Sequence, residues 1–320
     1  MLESTITTLD ALENEHQEFA QDVLAGLEKP QKRLPSRWFY DSTGSQLFEK
    51  ITKLPEYYPT RTETAILQSH AGDIADRLGP DCLLVEYGAG ASVKTRILLD
   101  TLNDLVAYVP IDVSGDFLAE TASGLRADYP SLNVLPITAD FMDPLDLGAT
   151  VGKKGNPVGF FPGSTVGNLP DEDIIAFLAT ARRTLTASGK FLVGVDLRKS
   201  PDILIPAYDD AAGVTAAFNL NVLVRINREL GGRFDLATFT HQARWNEQAG
   251  QIEMHLVSEI DQTVDLLGRS FPFAAGETIH TEISRKFRIS DFEALAVRSG
   301  WVLDHCWFDP RAMFCVALLA

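Results

Sequence analysis

Between residues 82 and 196, short apolar runs alternate with segments of helical periodicity, and this alternation constrains the fold most strongly. The predicted strands are 82–87, 107–113, 133–139, 158–162 and 190–196, and the predicted helices are 92–105, 115–127 and 171–186. Strands separated by helices pair in parallel, because each helix carries the chain back across a face of the sheet. The sequence therefore predicts a doubly wound α/β sheet that binds ligands at the carboxyl ends of its strands.

A glycine turn follows the first of these strands. The apolar run 82–87 leads into Gly88-Ala89-Gly90, where missing side chains let a ligand approach the backbone closely. Val93 stands where the dinucleotide fingerprint G-x-G-x-x-G has its third glycine. This disfavours NAD and favours a nucleoside without a pyrophosphate, of which S-adenosylmethionine (SAM) is the common case. A purely structural turn is the alternative interpretation.

Three further residues with ligand-binding chemistry follow later strands. Asp112 ends the second strand, and a carboxylate at this place can accept both hydroxyls of a ribose. Asp140 and Gly163 come directly after the third and fourth strands. Because the carboxyl ends of parallel strands meet at one edge of a sheet, we expect these residues and Gly88 to lie together. The two acids could instead be helix caps or surface residues.

Composition narrows the class of protein. A formal charge of −16 at pH 7 disfavours a nucleic-acid partner, because phosphate binding needs a basic surface. No apolar stretch approaches the roughly 20 residues that span a bilayer, and the polar N-terminus lacks a secretory pattern. We expect a monomeric cytoplasmic enzyme that acts on a small molecule. The cysteines show no metal-like spacing and predict reduced core thiols: Cys82, Cys306 and Cys315. Four histidines are scattered singly and are expected to be surface or packing residues rather than metal ligands: His241, His255, His280 and His305.

The regions on either side of the alternating segment follow other patterns. Residues 14–28 predict an amphipathic helix, and Thr60 with Glu63 has the spacing of a capping box at a helix start. Alternation on both sides of a turn predicts a hairpin over 243–260. We expect an insertion at 197–285 that pairs with the N-terminal residues. The predicted domains are 61–196 with 286–320, and 1–60 with 197–285.

Five sequence blocks, in order along the chain, carry a family resemblance. They are Leu34-Pro35-x-Arg37-Trp38-Phe39-Tyr40-Asp41, residues 54–61, residues 161–169, residues 207–219, and Glu277-x-x-x-Thr281-Glu282-x-Ser284-x-Lys286-Phe287. Together they resemble the SAM-dependent histidine Nα-methyltransferases of ergothioneine biosynthesis, which convert L-histidine to its trimethylammonium betaine, hercynine. The resemblance covers residues 18–320. One departure is Tyr87-Gly88-Ala89-Gly90, where leucine and serine are expected at the first and third positions.

The resemblance implies a fold, a cofactor and a set of site residues. The fold is a Rossmann-like class I methyltransferase core with a family-specific α+β substrate domain, and histidine lies between the two domains. SAM is the methyl donor and S-adenosylhomocysteine the product. The implied SAM-binding residues are Tyr40, Gly88, Lys94, Asp112, Asp140 and Phe141. Of these, Asp112 takes the ribose hydroxyls, whereas Asp140 and Phe141 bracket the adenine.

The resemblance also implies which residues hold the substrate. The set is Tyr57, Gly163, Asn168, Tyr208, Thr215, Met254, Glu282 and Ser284. Asn168 and Tyr208 hold the histidine carboxylate, and Gly163 and Thr215 shape the amine pocket. The imidazole faces Tyr57, Glu282 and Ser284. The residues implied for catalysis are Tyr40 and Tyr57.

Methyl transfer from a sulfonium is an in-line displacement that needs a neutral amine about 3 Å from the methyl carbon. The cationic sulfonium lowers the pKa of the amine, so we expect proton loss to water, with Tyr40 as the alternative relay. Selectivity for histidine is expected from Glu282 and Ser284, because a buried acid that faces the imidazole N–H discriminates against substrates that lack this donor.

Other interpretations stay open at the level of sequence. Asn168 could be a turn residue, and Tyr57, Tyr58 or Tyr208 could be packing aromatics. Alternation places Glu282, Ser284 and Lys286 on one face of a strand, which is either solvated or lines a pocket. The alternative functions are methylation of another amine, such as a tryptophan derivative, a non-catalytic SAM-binding role, and a nucleotide-dependent oxidoreductase.

Overall fold

A computed structural model describes residues 2–90, 93–113, 115–147, 155–186 and 188–320. The predicted start of a helix at residue 92 lies outside this range. The chain divides into two compact units, one of Met1–Tyr57 with Pro201–Ile283 and one of Tyr58–Ser200 with Ser284–Ala320. The described strands form sheets of four, two and seven strands. We call the two units the four-stranded and the seven-stranded unit, after the largest sheet in each.

The helices and strands follow the chain in this order. As far as residue 112, they are α1 (Leu2–Leu27), β1 (Lys32–Arg33), α2 (Ser42–Ile51), α3 (Tyr58–Leu78), β2 (Cys82–Tyr87), α4 (Val93–Thr101) and β3 (Ala107–Asp112). The next are α5 (Gly115–Asp128), β4 (Ile137–Thr138), β5 (Asn156–Phe161), α6 (Asp171–Thr184), β6 (Lys190–Asp196), α7 (Pro201–Tyr208) and α8 (Val214–Leu230). The remaining elements are β7 (Phe239–Asn246), β8 (Gln251–Ser258), β9 (Gln262–Leu266), β10 (Arg269–Phe273), β11 (Thr278–Arg285), α9 (Ile289–Arg298), β12 (Leu303–Phe308) and β13 (Phe314–Leu319).

The seven-stranded unit has the strand order β12-β13-β6-β5-β2-β3-β4. Strands β2 to β6 pair in parallel, and β13 pairs antiparallel with both β6 and β12. The order reverses between β2 and β5, which is where doubly wound sheets bind ligands. The prediction of a doubly wound α/β fold is confirmed.

The strands of this sheet are buried on both faces. All six residues of β2 are buried, as expected for a parallel strand covered by helices. Alternate residues of β2 join separate core clusters, with Tyr87 in one and Leu84 in the other. The ring centroid of Tyr87 lies 5.5 Å from that of Phe177 and 5.4 Å from that of Phe191. The tyrosine that departs from the family pattern is therefore a core residue.

Three local predictions differ from the structure. Helix α3 begins at Tyr58, so Thr60 lies inside the helix and the predicted capping box is wrong. The strand predicted over 133–139 is limited to Ile137–Thr138, apart from one bridge from Val134 to Tyr108. Helix α1 begins at Leu2, well before residue 14. Periodicity located the elements, but their ends depend on hydrogen bonds that the pattern does not encode.

The four-stranded unit has the strand order β1-β11-β8-β7. Strands β7 and β8 form the predicted hairpin, which closes at the pair Asn246–Gln251. Lys32 of β1 pairs in parallel with Ile279 of β11, and this contact joins the N-terminal residues to the inserted segment. A second hairpin, β9–β10, was not predicted. Among the described residues, no helix combines the length and apolar character needed to cross a membrane.

Candidate functional site

The glycine turn after β2 has a backbone that favours glycine. Gly88 and Gly90 have φ values of +72° and +41°, in the left-handed region. The N–H groups of Gly88 and Ala89 both donate to the carbonyl oxygen of Ile111, at 2.9 and 3.1 Å. A Cβ added at Gly88 would meet no atom of the described residues within 4 Å. The turn is thus tied to the end of β3 and borders open space, as a ligand-binding turn requires.

Asp112 lies beside this turn, and Asp140 comes shortly after the next strand, β4. Asp112 is half-buried, and its Oδ2 accepts the Gly90 N–H at 3.4 Å. Asp140 Oδ1 accepts the N–H of Met142 at 2.9 Å, so this carboxylate also shapes its own loop. Phe141 is half-buried, and its ring centroid lies 5.3 Å from those of Phe161 and Phe177. Its ring therefore packs against the core as well as flanking the strand ends.

Lys94 and Gly163 both contact Glu63, which was predicted to belong to a capping box. Glu63 of α3 is fully buried, and its Oε2 accepts a hydrogen bond from the Lys94 ammonium. The same oxygen accepts the N–H of Gly163 at 2.8 Å. Glu63 shares the buried side of α3 with Ile66 and Leu67. This helical spacing was the signal that could have distinguished a buried acid from a capping residue.

Asn168 lies at the end of a short 3₁₀ turn, Thr165–Asn168, and is half-buried. A Cβ at the neighbouring Gly167 would come within 2.7 Å of the carbonyl oxygen of Arg285. Only glycine allows this close approach. It brings the turn that carries Asn168 next to the end of β11, where Ser284 is buried.

A buried charged network surrounds Asp196 at the carboxyl end of β6. Its carboxylate accepts hydrogen bonds from the Tyr58 hydroxyl at 2.7 Å and the Lys199 ammonium at 2.6 Å. The Lys286 ammonium lies 2.8 Å from the same carboxylate and donates to Ser284 Oγ at 2.8 Å. Ser284 and Lys286 are both buried, so the interpretation of this strand face as solvated is wrong for them.

Burial and charge shift the pKa values within this network. Burial by itself would raise the pKa of Asp196, but the ammonium groups of Lys286 and Lys199 outweigh it and lower that pKa. Burial lowers the pKa of Lys199 to about 8. Lys286 belongs to one of the sequence motifs, whereas Tyr58 was predicted only as a packing residue. Asp196 and Lys199 gave no signal, because Tyr58 and Lys286, which complete the network, are distant from them in sequence.

In the four-stranded unit, three predicted tyrosines join one row of aromatic rings. The ring centroids of Tyr40 and Phe48 lie 5.7 Å apart, those of Phe48 and Tyr57 6.3 Å, and those of Tyr57 and Tyr208 6.0 Å. Tyr57 and Tyr208 are buried, and Tyr40 is half-buried. Edge-to-face packing of this kind holds each ring in a defined orientation.

Polar contacts fix the segments that carry Tyr208 and Thr215. The carboxylate of Asp210 accepts the N–H of Thr215 at 2.7 Å and that of Val214 at 3.0 Å at the start of α8. Burial would raise the pKa of Asp210, but hydrogen bonds from these residues lower it below its usual value. His241 donates its Nε2–H to the carbonyl oxygen of Tyr208 at 2.8 Å. Asp210 and His241 are supporting residues that the sequence did not single out.

Met254 and Glu282 lie on neighbouring strands. Met254 is buried on β8, and its carbonyl oxygen accepts the Thr281 hydroxyl of β11 at 3.0 Å. Glu282 is half-buried next to Thr281. The strand pairing therefore places both predicted substrate residues in one sheet.

Two histidines predicted to be isolated are in contact. The rings of His255 and His280 stack with centroids 4.8 Å apart and planes at 17°, and Glu253 lies beside them. Burial lowers the pKa of His255 to about 4 and also lowers that of His280. One ligand atom from each of His255, His280 and Glu253 lies within 4.8 Å of the other two, and His255 Nδ1 lies 3.2 Å from the Thr278 hydroxyl. The geometry is that of a packing contact between neutral rings.

The doubly wound sheet, the glycine turn and Asp112 at the end of β3 are typical of a Rossmann-like, nucleoside-binding enzyme. Comparison with known proteins identifies the class as SAM-dependent methyltransferases. A family model described as "Histidine-specific methyltransferase, SAM-dependent" matches residues 19–320, and the chain belongs to that family.

Individual relatives agree with this classification. The chain is 43% identical over 303 residues to a histidine N-alpha-methyltransferase of Mycolicibacterium smegmatis, covering 93% of each chain. It is 40% identical over 310 residues to the Mycobacterium tuberculosis protein of the same name, covering 95% of each. A 4-dimethylallyltryptophan N-methyltransferase of Aspergillus fumigatus is 25% identical over 253 residues, or 74% of each chain. The predictions of the fold class, of SAM as methyl donor and of an N-methyltransferase are confirmed.

Proposed function

We propose that this enzyme methylates the α-amino group of L-histidine three times to give hercynine, within ergothioneine biosynthesis. The observation that carries the proposal is the match of residues 19–320 to the histidine-specific family. Two relatives named "Ergothioneine biosynthesis protein 1", from Neurospora crassa and Schizosaccharomyces pombe, support the pathway.

The two units would contribute mainly to the binding of different ligands. The seven-stranded unit would bind SAM at the carboxyl ends of its parallel strands, where the turn at Gly88 borders open space and Asp112 lies beside it. Asp112 would accept the ribose hydroxyls, with Asp140 and Phe141 at the adenine and Lys94 at the methionine carboxylate. Tyr40 is the remaining proposed SAM contact. When bound, SAM supplies an electrophilic methyl group.

The four-stranded unit would supply most of the contacts to histidine. Tyr208 and Asn168 would hold the carboxylate, and Gly163 and Thr215 would leave room for a methylated amine. Tyr57, Glu282 and Ser284 would face the imidazole, and Met254 is a further proposed substrate contact. The Lys286 ammonium donates to Ser284 Oγ, and this hydrogen bond helps to fix the position of the Ser284 hydroxyl.

The amine must be neutral when it attacks. A neighbouring sulfonium lowers the amine pKa, and we propose that the proton leaves to water. We expect Tyr40→Phe to leave the pH–rate profile unchanged under this mechanism. A loss of the alkaline limb in that variant would instead assign the relay to Tyr40.

The test of the substrate is direct. Purified enzyme is incubated with SAM and each of several amines, and the products are analysed by mass spectrometry. We expect additions of one, two and three methyl groups to L-histidine. The 4-dimethylallyltryptophan N-methyltransferase among the relatives favours a tryptophan derivative as second candidate, and methylation of that amine without methylated histidine would overturn the proposal. The monomeric state and the cytoplasmic location stay predictions.

A further inference from the structure

The buried carboxylate of Glu63 contacts two groups that are proposed to serve different ligands. Its Oε2 accepts hydrogen bonds from the Lys94 ammonium, proposed for SAM, and from the Gly163 N–H, proposed for the amine pocket. Glu63 is fully buried, and the Lys94 side chain is 14% exposed. A single oxygen atom therefore anchors two parts of the candidate site.

The position of this carboxylate is fixed by its surroundings. A Cβ added at Gly194 of β6 would come within 2.2 Å of Glu63 Oε1 and 3.0 Å of its Cδ. Glycine at this place is what lets the carboxylate lie against the strand. Oε1 itself has no hydrogen-bond partner among the residues that the structure describes.

Stability alone gives a weak reason for such a pair. The desolvation of two buried charges offsets most of their attraction, so a buried ion pair adds little net stability. The pair lies next to the carboxyl end of β5, at the edge of the sheet where a ligand is expected. An ammonium has three N–H donors. One of them donates to Glu63, which sets the direction of the others.

We propose that Glu63 is a positioning residue that directs the Lys94 ammonium toward the α-carboxylate of the methionine moiety of SAM. A lysine held in one direction loses less side-chain entropy when it binds a carboxylate. This inference rests on the proposed assignment of Lys94 to the cofactor.

The test uses two ligands that differ in the amino-acid moiety. S-adenosylhomocysteine and 5′-methylthioadenosine share the adenosine and a neutral thioether, but only the former carries an α-carboxylate. We expect Glu63→Gln to weaken S-adenosylhomocysteine binding about 10-fold or more in calorimetry, with methylthioadenosine binding unchanged. Lys94→Met should give the same selective loss. The double variant should add little to it, because both changes act through one ammonium.

Two further variants serve as control and as second test. Arg96 lies on α4, the helix that also carries Lys94, and it pairs with Asp128 of α5 at 2.7 Å on the surface. Asp128→Asn should therefore leave both affinities unchanged. Gly194→Ala keeps the Glu63 charge and displaces its carboxylate, and should reproduce the selective loss even if Glu63→Gln does not fold.

Two results would overturn the inference: an equal loss of affinity for both ligands, which indicates a general structural role, or no loss for either. Binding is measured without histidine, so this outcome is separate from failure of the proposed methylation.

Discussion

The two units hold their buried polar groups in different ways. The seven-stranded unit buries full charges in ion pairs. Glu63 pairs with Lys94, and Asp196 pairs with both Lys199 and Lys286. The four-stranded unit pairs its buried cations Lys32 and Arg225 with partly exposed acids, Glu277 and Glu229. It also packs weakly polar rings, such as Tyr57 on Tyr208 and the stacked pair His255–His280.

The difference follows from architecture. Parallel strands end together at one edge, so charged residues after several strands meet there and must be paired. In the four-stranded unit, His255 and His280 stack across the neighbouring strands β8 and β11, and cross-strand neighbours of this kind are a main source of side-chain contacts in a sheet.

The largest expected effect tests the charged network. Asp196→Asn leaves Lys199 and Lys286 buried without a counter-charge, and we expect the free energy of unfolding to fall by about 3–5 kcal/mol. Urea denaturation measures the change. The matched control is Asp304→Asn, since Asp304 pairs with Arg77 at the surface and its loss should cost less than about 1 kcal/mol. Similar losses in both variants would remove the distinction between buried and exposed pairs.

The second prediction concerns substrate recognition by the four-stranded unit. Glu282→Ala should weaken histidine binding by about 2–5 kcal/mol, because the imidazole N–H loses its acceptor. Calorimetry with histidine measures this, and S-adenosylhomocysteine affinity in the same variant is the control. Unchanged histidine affinity would show that Glu282 does not face the imidazole.

The third prediction uses the stacked histidines. The pKa of His255 is lowered to about 4 in the folded state, whereas the unfolded chain titrates near 6.5. The unfolded state therefore binds more protons between these values, and stability falls as the pH is lowered from 6.5 to 4. The loss from this group should reach about 2–3 kcal/mol. Denaturation at pH 7.5 and 4.5 should show a smaller loss in His255→Gln, and an equal loss would contradict the assignment.

The smallest effect is expected from Tyr87→Leu, which restores the residue expected for the family. The ring packs against Phe177 and Phe191, so the smaller side chain should cost about 1–2 kcal/mol of stability. S-adenosylhomocysteine affinity should stay unchanged, because Tyr87 is a core residue. A clear loss of affinity would place this side chain in the ligand site instead.

Particular residues show where sequence reasoning succeeded and where it failed. Gly88, Asp112, Asp140 and Gly163 could be placed at the strand ends, because strand alternation and chain order determine which residues follow a parallel strand. Glu63 was misinterpreted because the spacing Thr-x-x-Glu fits a helix cap as well as a buried helix face. The contact between His255 and His280 could not be predicted, since it depends on the pairing of strands that are separated in sequence.

The sequence by itself determined the doubly wound core, the glycine turn and the family, because these depend on local periodicity and on contiguous motifs. The tertiary structure decided which charges are paired and buried. Whether an acid such as Glu63 or Asp196 is solvated, caps a helix or holds a lysine depends on which distant residues surround it. Desolvation makes each of these outcomes energetically different, and only packing determines which one occurs.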